Sequence, residues 1–177
     1  MTAEHQYLTE IPANASKEEV FELVQLFIRQ MGLTVIDQDR QRPWGGYFVM
    51  DEKDVPQFIR LFFPHMKPES FEGYEILSPK ILLVAPGKRL SWQYHHRREE
   101  IWKVIAGEVN VVTSDTDAEK EEMELTTGDT ISLRQGERHR LVGTGQWGVI
   151  AEIWQHTNPQ HPSDEDDIVR VQDDFGR

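Results

Sequence analysis

Apolar positions along this chain follow two different periods. Val20, Phe21, Leu23, Val24, Phe27, Ile28 and Met31 recur at helical spacing, which predicts an amphipathic helix of about four turns. Ser16 followed by Glu19 reads as its capping box, and Gly32 as its stop. A second, shorter helix is expected over 54–63, with Val55, Phe58, Ile59 and Phe62 on one side and Pro64 ending it. Between Gly32 and Gly45 lies a polar stretch with Arg40, Arg42 and Pro43, which reads as an extended arm. From Tyr74 onward the pattern changes to short β-like runs separated by turn residues, at 81–85, 90–94, 101–105, 108–113, 130–133 and 147–154. Short strands at regular intervals argue for an antiparallel sandwich or barrel rather than for βαβ units. The acidic run Asp115, Asp117, Glu119, Glu121, Glu122 and Glu124 falls between two such strands and reads as a solvated hairpin tip.

Length and charge narrow this picture. The chain has 177 residues, enough to bury one real core and too few for two ordinary domains. The expected division is an N-terminal helix and arm over 1–40 and a barrel over 41–177, with an insert at 51–78 and a tail at 162–177. Nineteen Lys and Arg against 31 Asp and Glu leave a net charge of −12, which disfavours nucleic acid and anionic membranes as partners. No cysteine is present, so thiolate nucleophiles, thiolate ligands and disulfides are excluded. No segment approaches the ~18 apolar residues of a membrane helix, and residues 1–15 lack a basic segment followed by an apolar run. A cytoplasmic, soluble protein is the expectation.

The chemistry is concentrated in two glycine-bounded segments, Gly87-x5-Gln93-x-His95-x4-Glu100-x6-Gly107 and Gly128-x5-Arg134-x-Gly136-x2-His139. Residues two apart on a strand face one side, so Gln93 and His95 point together into the interior. Glu100 follows a short turn onto the next strand, and His139 supplies a fourth ligand from across the barrel. Two imidazoles, an amide oxygen and a carboxylate suit a divalent ion of the Zn²⁺, Mn²⁺, Fe²⁺, Co²⁺ or Ni²⁺ type, without choosing among them. Gly107 and Gly136 stand where tight turns need positive φ. His96, Arg97 and Glu99 are expected to point outward, as is Lys103, which alternates out of phase with Glu100 and Trp102.

The two segments resemble the paired motifs of the cupin superfamily, and the wider pattern resembles the type II phosphomannose isomerase family. That wider pattern comprises Arg42-Pro-Trp-Gly45 with Tyr47, Lys80 with Pro86-Gly87, Leu90-Ser-Trp-Gln-Tyr-His95, Arg98-Glu-Glu100-Ile-Trp102, Gly136-x-x-His139-Arg-Leu141, and Asp166-Asp-Ile-Val-Arg170 with Asp173 to Arg177. The resemblance implies an all-β-dominated fold, a double-stranded β-helix jelly roll carrying the N-terminal helix and a short helical insert. It implies a divalent metal held by Gln93, His95, Glu100 and His139. The implied activity is interconversion of mannose 6-phosphate and fructose 6-phosphate through an enediolate. Arg170 is the implied catalytic-site cation, and Lys80, Arg98, Trp102 and Tyr47 are further substrate contacts. No residue is singled out as the base.

Two features depart from the family pattern. Arg134 stands where the second cupin motif commonly has proline, and the insert, with Phe58, Phe62, Phe63, Phe71 and Tyr74, reads as a lid or a dimer arm. The insert leaves open which sugar is used: mannose 6-phosphate, or a free aldose such as lyxose or mannose. A non-catalytic sugar-binding cupin is the main alternative, with a metal oxygenase or decarboxylase behind it, since fold does not fix chemistry. A homodimer is the family-level expectation. With no nucleotidyltransferase half, no nucleotide binding is expected.

Overall fold

The computed structural model describes residue 8 and residues 11–71 and 76–177; Tyr74 lies outside the described residues, as does most of the first ten. Helix α1, Lys17–Gln30, begins at the expected capping box: Ser16 Oγ accepts from Glu19 N at 3.2 Å and Glu19 Oε2 accepts from Ser16 N at 2.7 Å. Val20, Phe21, Val24, Phe27 and Ile28 are buried along one face. Replacing Ser16 with Ala leaves an orphaned helix N–H and is expected to cost about 1 kcal/mol. A lower urea midpoint at unchanged m-value is the measurement that checks it.

The strands are β1 (Val35–Asp39), β2 (Gly45–Met50), β3 (Lys80–Val84), β4 (Trp92–Tyr94), β5 (Arg98–Ala106), β6 (Glu108–Ser114), β7 (Met123–Thr126), β8 (Thr130–Leu133), β9 (Arg138–Gly143), β10 (Gly148–His156) and β11 (Val169–Gln172), with helix α2 (Val55–Phe62) between β2 and β3. Among the described residues they form two antiparallel sheets, ordered β1-β2-β3-β10-β5-β8 and β11-β4-β9-β6-β7. This is the antiparallel sandwich that the short, evenly spaced strands argue for, in the jelly-roll form that the cupin resemblance implies.

Period-2 alternation assigns the large sheet two buried faces rather than one. Toward the other sheet, Leu82, Val84, Trp102, Val104 and Ile150 meet Val109, Val111 and Leu141 in an inner core. On the opposite face, Phe48, Ile81, Leu83, Ile101, Ile105, Ala151 and Ile153 pack beneath α1 and α2. The apolar face of α1 is therefore consumed within the chain and is not a free dimerisation surface. The insert is likewise a packed layer: Phe58, Phe62, Phe63 and Phe71 are all buried in that outer core, with Phe58 and Phe62 edge to face at 4.9 Å. A lid would leave such rings uncovered.

The acidic run is the solvated hairpin tip expected, exposed over 115–122 between the antiparallel pair β6 and β7, with Glu124 on β7 itself. Two expectations are corrected here. The arm is a strand, since β1 pairs with β2 at the sheet edge; its burial is slight, so no alternation marked it. Lys103 is not solvent-facing but buried, 5% exposed. It is indeed out of phase with Glu100, but the face it takes, flanked by Ile101 and Ile105, is covered by the helical layer. Leu8 N also donates to Ile105 O there, at 3.3 Å.

Candidate metal centre

Four elements deliver side chains to one end of the inner space. Arg98, Glu100 and Trp102 share the inward face of β5, His95 follows β4, His139 lies on β9 opposite Gln93, and Glu152 lies on β10 opposite Trp102. Gly107 and Gly136 take φ of +68° and +76° at the turns after β5 and before β9. Gly136 N also donates to His95 O at 2.9 Å, tying the second segment's turn to the first segment's ligand.

His95, Glu100 and His139 converge with candidate ligand atoms all within 4.8 Å of one another. Glu100 Oε1 is 3.1 Å from His95 Nε2, and Oε2 is 3.5 Å from His139 Nε2. The remaining imidazole nitrogens fix the tautomers. His95 Nδ1 is 2.7 Å from the carbonyl oxygen of Asp167 and His139 Nδ1 is 3.1 Å from that of Glu137. A carbonyl only accepts, so each Nδ1 carries the proton and each Nε2 turns a lone pair to the cluster. Burial pushes His139 down to about 4 despite Glu100, so it is a neutral imidazole near pH 7. Burial pushes Glu100 up, but the positive charge that His95 carries when protonated, the Arg98 guanidinium and protonated His139 outweigh it at the acid end and hold the carboxyl well below the usual carboxylate range.

This donor set fits a divalent cation. His139 Nε2 is buried without a hydrogen-bond partner, and it points at an anionic carboxylate and a second lone pair. Such a convergence of acceptors is stable only around a proton or a cation. Gln93 reaches the cluster, with Nε2 at 3.4 Å from His95 Nε2, while its oxygen accepts from Ser91 Oγ at 2.5 Å. It therefore stands beside the trio with its amide nitrogen, not its oxygen, turned inward. His96 is exposed, as expected for a residue between ligands on the outward phase.

The other expected site residues fall into two groups. Arg98 is buried against Glu100 (Nε to Oε1, 2.8 Å), reaches His95 Nε2 at 3.2 Å, and stacks its Cζ 3.6 Å from the Trp154 ring centre. It is a charge partner of the cluster. Trp102 bridges two carboxylates, its Nε1 donating to Glu100 Oε2 at 3.1 Å and Glu152 Oε2 at 2.7 Å. Tyr47, Lys80 and Arg170 line the cavity above, together with Arg42, Arg177, Trp154 and Glu165. Lys80 pairs with Glu165 and lies 4.0 Å from the Trp154 ring centre.

Sequence reasoning missed two residues. Glu152 is buried, accepts at Oε1 from Trp154 Nε1 at 2.8 Å, and is raised to about 8 by burial and then by Glu100, against Lys80 and Arg98. Its signal was available: a lone carboxylate inside the apolar run Val149-Ile-Ala-Glu-Ile-Trp154 costs free energy to bury without a purpose. Asp167 closes over the ligand segment. Its carboxylate accepts from His96 N at 2.9 Å, Arg97 N at 3.0 Å and Ser163 Oγ at 2.6 Å, while its carbonyl holds His95. It sits in the closing Asp-Asp-Ile-Val-Arg motif, where its partner 72 residues earlier was not readable.

A two-sheet jelly roll with an inward His, Glu and His drawn from two glycine-bounded hairpins defines a cupin. More narrowly, the chain belongs to the family described as mannose-6-phosphate isomerase, C-terminal, whose pattern matches residues 52–173. Relatives include the alginate biosynthesis protein AlgA of Pseudomonas aeruginosa, 34% identical over 77% of this chain and 22% of that protein. The xanthan biosynthesis protein XanB of Xanthomonas campestris pv. campestris is 31% identical over 77% of this chain and 23% of its own length. A mannose-1-phosphate guanylyltransferase of Escherichia coli is 29% identical, over 80% and 24%. The chain thus spans about a quarter of the length of these relatives. Among solved structures, a Bacillus subtilis oxalate decarboxylase variant aligns with a TM-score of 0.53 at 14% identity over 76% of this chain and 30% of its own. Hazelnut vicilin gives 0.52 at 14% over 78% and 36%. At that identity they show the cupin fold alone. No helix among the described residues is long and apolar enough to cross a membrane.

Proposed function

We propose that this cupin is a metal-dependent aldose–ketose isomerase acting on a sugar phosphate, with mannose 6-phosphate and fructose 6-phosphate the favoured pair. The observation that carries the reading is one cavity whose lining joins Glu100, the carboxylate of the His95–Glu100–His139 trio, to a carboxyl poised near neutrality at Glu152 and to the cations Arg42, Lys80, Arg170 and Arg177. The family match and the sugar-phosphate names among the relatives support the same substrate class.

Isomerisation moves the C2 hydrogen of the aldose to C1 and the O2 proton to O1, through an enediolate. A divalent ion held by His95, Glu100 and His139, with Gln93 adjacent, would supply Lewis-acid stabilisation of the charge that develops on the sugar oxygens. Glu152 is the group assigned to proton movement between C2 and C1, because a carboxyl with its affinity raised toward neutral pH can both accept and return a proton. Trp102 and Trp154 fix its two oxygens by their indole N–H groups. Arg98 holds Glu100 in its ionised form, and Asp167 holds His95 in the ligand tautomer. The mouth guanidiniums are suited to the bidentate geometry of a phosphate.

The test is exchange of solvent deuterium into C1 or C2 of mannose 6-phosphate, mannose and lyxose, with Mn²⁺ or Zn²⁺ restored after chelation. Exchange into the phosphorylated sugar at a kcat/KM at least about tenfold above the free aldoses is expected, the difference that about 1.4 kcal/mol at the mouth supplies. Tight binding with exchange into none of them removes the isomerase and leaves a sugar-binding module.

A further inference from the structure

The cations at the cavity mouth are not held in the same way. Arg42 Nε lies 3.0 Å from Asp39 Oδ2, three residues away, and Arg177 Nε lies 2.9 Å from Asp173 Oδ2, four residues away. Lys80 instead pairs with Glu165, which is 85 residues distant in sequence and arrives on the segment just before β11. The two partners differ sharply in exposure, with 7% of the Lys80 side chain accessible against 63% of that of Glu165. Lys80 is also fixed without Glu165, since its Nζ is 4.0 Å from the Trp154 ring centre and 5.2 Å from that of Tyr47. Glu165 makes no other hydrogen bond among the described residues.

Glu165 further stands among the cations of the cavity. It lines the same cavity as Arg42, Lys80, Arg170 and Arg177. Arg170 is lowered by partial burial and then by the like charge of Arg177, with Arg42 adding to this and Asp173 and Glu165 opposing it. The cavity that remains has a volume of about 90 Å³. Glu165 takes up part of this lining with a side chain that is 63% accessible, so it can leave for solvent without disturbing the buried residues.

We infer that Glu165 is a displaceable counter-ion: its carboxylate occupies the anion position of the cavity, and an anionic group of the substrate enters by replacing it on Lys80. The inference rests on the sugar-phosphate reading and adds a determinant of specificity to it. A phosphate gives Lys80 a new partner when Glu165 swings into solvent. A neutral sugar leaves Lys80 without one, so the exchange favours anionic substrates. No covalent bond changes in the step.

Isothermal titration of the metal-loaded protein with inorganic phosphate tests it, comparing wild type, Glu165→Gln, Lys80→Gln, the double variant, and Asp166→Asn as an exposed neighbouring control. Glu165→Gln is expected to bind phosphate about tenfold more tightly, while Asp166→Asn matches wild type and Lys80→Gln binds more weakly. The gain from Glu165→Gln disappears in the Lys80→Gln background. Equal or weaker binding by Glu165→Gln overturns the counter-ion and leaves the anion reading intact, and so does a gain that persists without Lys80 or that Asp166→Asn reproduces. Binding in neither wild type nor Glu165→Gln overturns the anion reading and this inference with it.

Discussion

Glu100→Gln is expected to lower the affinity for Zn²⁺ or Mn²⁺ by more than about a hundredfold, beyond the range that loss of an outer partner to a ligand produces. Glu100 is 3% exposed, ionised, and placed between two Nε2 lone pairs. An amide at this position removes the only formal negative charge of the trio and sets N–H groups where a cation would sit. The same change strips Arg98 of its carboxylate, leaving a buried guanidinium whose remaining contacts are Ser163 Oγ, the Asp164 carbonyl, His95 and the Trp154 ring. A cost of about 3 kcal/mol in stability is therefore expected beside the loss of metal. His139→Ala provides the comparison, since it removes a ligand without unpairing a charge. It should lose metal to a similar degree with a smaller loss of Tm than Glu100→Gln. His96→Ala should change neither, because His96 is exposed on the outward phase. Metal content by elemental analysis after equilibration reads all three, and equal losses across them would sink the assignment of which face points inward.

Legibility in the sequence followed the physics of each signal. Helix α1 was readable to within a residue because cap, period and stop agree over a short window. The trio was readable because ligand spacing on adjacent strands is a local property, and glycines at positive φ mark the turns between them. Lys103 was misjudged because alternation reports phase and not what covers each face; a sheet buried on both sides has no solvent phase at its centre. Strand β9 escaped notice because Arg138, His139 and Arg140 mask its pattern. Arg140 is fully buried, its guanidinium bonded to the Leu90 carbonyl at 2.9 Å and Glu119 at 2.8 Å, a satisfaction that only long-range partners supply. Glu152 and Asp167 share that difficulty, since their partners lie on other strands.

Glu152→Gln is expected to lower kcat for the isomerisation by about a hundredfold to ten-thousandfold, the range for loss of a general acid–base group, with metal content unchanged. The separation from Glu100 is geometric: the two carboxylates share Trp102 Nε1, but the His ligands face Glu100 alone. Glu152→Gln leaves the trio charged and Arg98 paired, so an inactive variant that still binds metal isolates proton movement from metal binding. Glu152→Asp keeps an acid but withdraws it from Trp102 and Trp154, and should recover part of the rate. The chelated protein offers an independent readout. With its carboxyl raised from 4.5 to about 8 in the folded state, Glu152 contributes stability that is fully present below about pH 4.5 and is lost as pH rises through about 8. Denaturant unfolding from pH 5 to 9 should therefore show a decline in wild type that is flattened in Glu152→Gln. Retention of kcat within a few-fold in Glu152→Gln removes it as the proton-transfer group, even where the pH profile flattens. In that case its two indole hydrogen bonds mark a buried structural acid, and the proton must move through another group lining the cavity.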